Sequence, residues 1–184
     1  MDADWEVEVG GGAPVIEALW PGFVDLRRSP ERLGEIAEAA AFPALADLLR
    51  ALNGSGSALW TAKCDVWEPA GTPDAAAGQT AGLACYVDLL PVEGQVFAQW
   101  TQAEGFCRAW IARLAPLPLP DCGLELIVRQ ALAGAVEGFG VTAYLSGTGR
   151  DRSAAAEALS AALVAFAGAV PPLAVPASGA AKLQ

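Results

Sequence analysis

Two carboxylates in similar short segments of the chain have the residue type and setting for general acid–base chemistry. Asp65 lies in WTAKCDVW (60–67) and Asp88 lies in CYVDL (85–89). Two carboxylates held close together can divide the roles of acid and base between them. The positions of both aspartates are explained equally well by the ends of strands. The chain contains no histidine, which excludes Ser-His-Asp and Cys-His catalysis. We therefore favour a protein that binds over one that catalyses.

A second candidate site is the segment LSGTGRDRS (145–153), which reads as a strand end, a glycine-rich turn and a helix start. Free N–H groups at a helix N-terminus and nearby arginines suit an anion such as phosphate or a carboxylate. The segment lacks the Gly-Lys-Ser/Thr ending of a Walker loop and the full dinucleotide glycine pattern. Glycines are also wanted at such turns for backbone reasons alone. The possible anion site consists of Gly147, Thr148, Gly149, Arg150 and Arg152.

Metal and cofactor chemistry has little support in the sequence. The four cysteines, Cys64, Cys85, Cys107 and Cys122, are widely separated and form no Cys-x-x-Cys motif. Without histidine, a zinc site would need scattered thiolates or carboxylates, which do not match the usual ligand spacing. We predict buried, reduced thiols, no metal and no cofactor.

The charge of the chain narrows the classes of partner. The formal net charge is −10 and the pI is about 4.3, and no basic stripe is present. Nucleic acids and anionic membranes are therefore disfavoured as partners. The start, MDADWEVEV, has no signal-peptide pattern, and the uncharged stretch 158–176 near the C-terminus is interrupted by Pro171-Pro172. These features predict a cytoplasmic protein.

Three segments have the apolar spacing of an α-helix. The first runs from an N-cap at Ser29 to Asn53-Gly54, with a kink or break expected at Pro43. The second covers about 96–114, and the third begins at a cap at Ser153. Between them lie strand-like segments at 5–9, 15–26, 59–67, 83–90, 124–131 and 139–146.

This order reads as strand–strand–helix three times, and the span 22–131 follows the ferredoxin-like order of elements. We predict a single α+β domain over residues 1–170, followed by a Pro/Ala-rich tail at 171–184. Its mostly antiparallel sheet would have about five to six strands, with about three helices on one face. Similar segments at 22–26, 85–89 and 141–145 leave open whether the repeat is a true duplication, and the strand order is also open.

Alternation along the strands assigns the side chains to two faces. In 60–67 the residues predicted to face the helices are Trp60, Ala62, Cys64 and Val66. The other face of the sheet collects charged and aromatic side chains: Lys63, Asp65, Trp67, Tyr86, Asp88, Arg129 and Tyr144. Such a face is also expected of an ordinary solvated antiparallel sheet, but aromatic side chains with a polar group are enriched in interfaces.

The leading hypothesis is a non-catalytic binding or regulatory protein that uses this polar-aromatic face to contact a protein partner or a second copy of itself. Its negative charge would steer it to a basic surface. The alternative is a small-molecule anion-binding protein or enzyme with a site at Gly147–Arg152 and an acid–base group at Asp65 or Asp88. Neither the partner nor the ligand can be named from the sequence.

Overall fold

The computed structural model describes residues 1–70 and 78–172. Within these ranges the strands are β1 (Asp2–Val7), β2 (Ile16–Ala18), β3 (Leu59–Trp67), β4 (Ala81–Pro91), β5 (Cys122–Ala133) and β6 (Val136–Gly149). The helices are a 3-10 helix (Pro30–Glu35), α1 (Ala37–Ala41), α2 (Pro43–Asn53), α3 (Trp100–Leu114) and α4 (Arg152–Gly168). None of these helices, within the described ranges, is long and apolar enough to cross a membrane. Residues 71–77 and the part of the predicted tail beyond Pro172 lie outside the described residues.

The described strands form one open, mixed sheet in the order β1-β5-β6-β4-β3, and β2 pairs with β5 further along the same edge as β1. β1 and β2 run parallel to β5, whereas the pairings β5-β6, β6-β4 and β4-β3 are antiparallel. Two β-hairpins, β3-β4 and β5-β6, thus meet through their second strands. Each hairpin is followed by a helix, α3 or α4.

All the long helices cover the same face of the sheet. α4 packs on β4, β5 and β6, α3 packs on β1, β5 and β6, and α2 contacts β3 and α4. The main core contains alternate residues of every strand except β2, such as Cys85 and Val87 of β4 and Ala143 of β6, together with buried side chains of the three helices. Trp110 of α3 and Phe166 of α4 stack with their ring centroids 4.0 Å apart. The opposite side of the sheet is called the open face below.

The α+β class and the helix-covered sheet are confirmed, but the ferredoxin-like order is not. Its predicted first strand, 22–26, is not a strand, although the described elements still follow the strand–strand–helix order three times, with β1 and β2 as the first pair of strands. The N-terminal strands instead join the sheet edge in parallel, which makes the sheet mixed. The predicted first helix is divided into three pieces, and α2 begins at Pro43, as the missing proline N–H requires.

One prediction about β3 is wrong, because a β-bulge interrupts the strand between Thr61 and Cys64. The bulge inserts an extra residue and reverses the alternation, so Trp60 pairs with Leu90 on the open face and not with the helix-facing row of Cys64. Thr61 faces the helices, where its backbone N–H donates to Asn53 Oδ1 and its hydroxyl accepts from Asn53 Nδ2.

Trp60 is the largest member of a second apolar cluster, which covers one end of the open face. Its side chain is fully buried against residues of β2, β4 and β5, and its indole N–H donates to the carbonyl of Pro91. The Arg27 guanidinium carbon lies 3.9 Å from the centroid of its ring. No helix within residues 1–70 and 78–172 covers the rest of the open face, which holds the candidate site.

Candidate functional site

Cross-strand pairing arranges the uncovered part of the open face in rows perpendicular to the strands. The first row, at the end of the sheet away from Trp60, consists of Asp2, Gly123, Ser146, Ala84 and Trp67. The second row consists of Asp4, Glu125, Tyr144, Tyr86 and Asp65. The third row consists of Glu6, Ile127, Thr142 and Asp88. The site therefore combines residues from strands that are distant in the sequence, such as β1 with β5 and β4 with β6.

Three aromatic side chains from the first two rows form a contiguous cluster. Tyr86 and Tyr144 are directly paired on β4 and β6, and their ring centroids are 5.9 Å apart. The ring of Trp67 lies 6.2 Å from that of Tyr86 and 6.3 Å from that of Tyr144, edge-on to the latter. All three are half-buried, so each still presents ring surface to solvent. We call Trp67, Tyr86 and Tyr144 the aromatic cluster.

A hydrogen-bonded network of Asp88, Thr142, Arg129 and Glu8 lies next to the aromatic cluster and reaches it through Tyr144. The hydroxyl of Thr142 donates to Asp88 Oδ1 at 2.6 Å, and Arg129 donates to Thr142 Oγ1 at 3.4 Å and to Tyr144 OH at 3.2 Å. The same guanidinium donates twice to Glu8 Oε2, at 2.9 and 3.2 Å, and its side chain is only 11% exposed. Arg129 is thus tied to the protein and serves to orient Tyr144.

The titration of these groups follows from their burial. Burial raises the pKa of Asp88 above its usual value. The hydrogen bond from Thr142 and the positive charges of Arg129 and Lys63 act in the opposite direction, but their effect is smaller. Burial and the nearby carboxylates of Asp88 and Asp65 raise the pKa of Tyr86 to about 12. Tyr86 is therefore a neutral hydrogen-bonding aromatic at physiological pH and not a base.

Carboxylates border the aromatic cluster on both sides. Asp2, Asp4 and Glu125 lie toward the β1 edge, Asp65 lies on β3, and all four are exposed. Among the described residues, none of these four carboxylates takes part in an ion pair within 4.0 Å. The uncovered face thus combines aromatic surface with uncompensated negative charge.

A depression of about 300 Å³ lies along the first row. The rings of Trp67 and Tyr144 line it together with the carboxylate residues Asp2, Asp4 and Glu125. We call this depression the trough.

Lys63 and Asp65 differ in their relation to the cluster. Lys63 lies at the β3 bulge, where its ammonium is 5.2 Å from the ring centroid of Trp20. Asp65 is paired with Tyr86 in the second row, whereas Asp88 is buried in the third. An exposed and a buried carboxylate on neighbouring strands do not share a common solvent-facing cleft, so this geometry gives no support to an acid–base pair.

The predicted anion site has a different organisation. Gly147 and Gly149 belong to β6, and a Cβ on either would collide with the backbone of α4. The carboxylate of Asp151 caps α4 by accepting from the N–H of Ala154 at 2.9 Å. Arg150 pairs with Asp151 and Arg152 pairs with Glu68. The two glycines thus allow β6 and α4 to pack closely. The carboxylate of Asp151 already occupies the N-terminus of α4. Phosphate binding there stays a prediction.

The cysteines are poor candidates for chemistry. Burial raises the pKa of the Cys64, Cys85 and Cys107 thiols to about 12, so little thiolate exists at neutral pH. Cys122 donates to the carbonyl of Ala158. Within residues 1–70 and 78–172, no group of His, Cys, Asp or Glu side chains has the arrangement of a metal site.

Several residues of the site were not among the sequence-based candidates. Thr142 and Glu125 follow from strand alternation, because they lie on the same face as Tyr144 and Arg129 respectively. Asp2, Asp4 and Glu8 left no such signal, because an acidic N-terminal strand does not reveal which sheet edge it joins. Comparison with known proteins adds no further residue: no family model matches the chain, and no similar protein was found among curated proteins or among solved structures.

Proposed function

We propose that this protein binds a basic segment of a partner protein on the uncovered part of its open face. The observation that carries the proposal is the half-exposed aromatic cluster, bordered by four carboxylates that have no ion-pair partner in the described chain. Trp and Tyr are the side chains that most often dominate the energy of protein interfaces. Unpaired carboxylates around them favour a positively charged partner and accelerate its association.

A basic partner is favoured over a second copy of the chain. Pairing two open faces would bring the carboxylates of Asp4, Asp65 and Glu125 close to those of the other copy. Like charges in direct apposition are destabilising, and the net charge of −10 adds a general repulsion. A homodimer through this face would therefore form only at high salt, which makes oligomeric state an informative measurement.

Binding is also favoured over catalysis at this face. Two of the groups with perturbed pKa values are engaged in hydrogen bonds: Asp88 accepts from Thr142, and Arg129 donates to Glu8 and Tyr144. The third, Tyr86, is neutral at physiological pH because its pKa is raised to about 12. The hydrogen bond from Arg129 restrains Tyr144 in the aromatic cluster. A restrained side chain loses less entropy on binding, which suits recognition.

The proposal is tested with a fluorescein-labelled octa-lysine peptide and fluorescence anisotropy at 50, 150 and 300 mM NaCl. The affinity should fall steeply with salt, because the attraction is between exposed charges. The double variant Asp65→Asn/Glu125→Gln should bind about threefold to tenfold more weakly, as expected for two exposed ionic contacts. The matched control Glu137→Gln/Glu157→Gln removes the same charge from exposed positions outside the site and should bind like the wild type.

Equal weakening in both double variants would mean that only the net charge attracts the peptide, and it would refute the proposal. Replacing Trp67 with Leu offers an independent check, because it leaves the charge unchanged. Loss of the ring should weaken binding by about tenfold if it is a dominant contact. The exposed Trp100 on α3, replaced by Leu, is the corresponding control.

A further inference from the structure

The trough owes its shape to the small residues in the first row. Gly123, Ser146 and Ala84 occupy the three central strands, between Asp2 at one end and Trp67 at the other. A Cβ at Gly123 would lie 2.6 Å from Ser146 Oγ, so any larger residue there would displace the serine. A row of five strands is about 19 Å wide at about 4.8 Å per strand. The low floor therefore runs across the sheet between taller side chains.

Aromatic surface borders this floor. Trp67 stands at one end of the row, and Tyr144 rises from the adjacent row, held in place by the hydrogen bond from Arg129. Their rings are edge-on to each other, with an interplanar angle of 86°. Because the two rings are nearly perpendicular, a flat cation in the trough can stack on the face of one ring at a time.

The electrostatics of the trough favour a cation. Asp2 and Asp4 project from β1, and Glu125 is paired with Asp4 across β1 and β5. Arg129, whose guanidinium carbon lies 5.6 Å from the ring centroid of Tyr144, is already engaged by Glu8. The ring faces attract a cation independently of the carboxylates, through their quadrupoles.

We propose that the trough binds an arginine side chain of the partner's basic segment. This inference rests on the proposed function and specifies its recognition element. A volume of about 300 Å³ corresponds to about ten water molecules at about 30 Å³ each, which suits one long side chain and not a folded element. The occupant enters along the floor over Gly123 and Ser146.

Arginine fits this geometry better than lysine. A guanidinium is planar and weakly hydrated, so it stacks on an aromatic ring while its N–H groups donate in pairs to a carboxylate. An ammonium is compact and strongly hydrated, and it makes no stacking contact. A trough with rings on one side and carboxylates on the other therefore discriminates between the two cations.

The test compares fluorescein-labelled octa-arginine and octa-lysine at 150 mM NaCl on the full chain. We expect octa-arginine to bind at least about tenfold more tightly than octa-lysine. Ser146→Leu fills the trough without changing the charge, and it should reduce octa-arginine binding to the level of octa-lysine. The control Ser160→Leu, at a similarly half-buried position on α4, should retain the preference.

A second variant guards against misfolding of Ser146→Leu. Trp67→Leu, at the end of β3, removes the stacking surface and should also abolish the arginine preference. Thermal melting of both variants shows whether the fold is retained. Equal affinity of the wild type for the two peptides, or a preference that survives both substitutions, would overturn the arginine assignment and leave the proposed function intact. Absence of binding to both peptides at 50 mM NaCl would overturn both.

Discussion

The buried hydrogen bond between Thr142 and Asp88 provides a quantitative test of the network beneath the aromatic cluster. Thr142 is 1% exposed and Asp88 is 6% exposed, and the threonine hydroxyl lies 2.6 Å from Asp88 Oδ1. Valine has nearly the same shape as threonine but no hydroxyl. Thr142→Val therefore removes a hydrogen bond to a charged acceptor, which contributes about 1.5–3 kcal/mol to the free energy of unfolding, and it also removes the longer hydrogen bond from Arg129 at 3.4 Å.

The cost of this substitution should depend on pH. The pKa of Asp88 is higher in the folded protein than in the unfolded chain because of burial, so the folded state holds its proton more tightly. The ionised carboxylate consequently destabilises the fold, and this penalty grows as the pH rises from the unfolded pKa of about 3.9 through the folded pKa. Losing the Thr142 hydroxyl raises the folded pKa further. Thr142→Val should then cost more at pH 7.5 than at pH 5.

Urea unfolding followed by far-UV circular dichroism at pH 7.5 and pH 5 measures both effects. In an Asp88→Asn background the acceptor is neutral at both pH values, so the cost of Thr142→Val should fall to about 0.5–1.5 kcal/mol and lose its pH dependence. Thr148→Val is the control, because that hydroxyl donates to the backbone carbonyl of Asp121, which is uncharged. A cost that is the same at both pH values and in both backgrounds would refute the assignment of Asp88 as a buried, ionisable acceptor.

Three further predictions concern the fold and the helix start. Trp60→Ala should lower the free energy of unfolding by about 3–5 kcal/mol, whereas Trp100→Ala, at a 43% exposed position, should change it by less than about 0.5 kcal/mol; urea titrations of the two variants compare them directly. Asp151→Ala should cost about 0.5–2 kcal/mol through loss of the α4 cap. Phosphate should not raise the melting temperature of the wild type, because the Asp151 carboxylate occupies that helix start, and a rise that disappears in Arg150→Ala/Arg152→Ala would instead establish an anion site there.

Local patterns in the chain predicted much of the architecture. Apolar periodicity located the helices and the central strands, and the prediction for 59–67 agrees with β3 in both limits. Alternation of side chains along single strands also predicts that Trp67, Tyr86 and Tyr144 lie on one face of the sheet, without any knowledge of strand pairing. These features depend only on the period of the strand and on which side chains avoid water, so a single segment is enough to reveal them.

The errors arise where one segment meets another. The bulge in β3 depends on how that strand pairs with β4. Because of the bulge, Trp60 lies on the open face, whereas strict alternation predicts that it lies on the helix-covered face with Cys64. Residues 22–26 have a strand-like composition but form no strand. The free edge of β5 instead pairs in parallel with β1 and β2. Composition alone cannot decide which of several apolar segments gains the most by pairing.

The sequence by itself determined the α+β class, the excess negative charge, the lack of histidine chemistry and the presence of an amphipathic aromatic surface. Only the tertiary structure decided that Asp2, Gly123, Ser146, Ala84 and Trp67 stand in one row, and hence that the surface contains a trough. The physical reason is that a residue's type and strand period are local properties. The row depends on register across five strands, and register is fixed by packing between segments more than a hundred residues apart, such as β1 and β5.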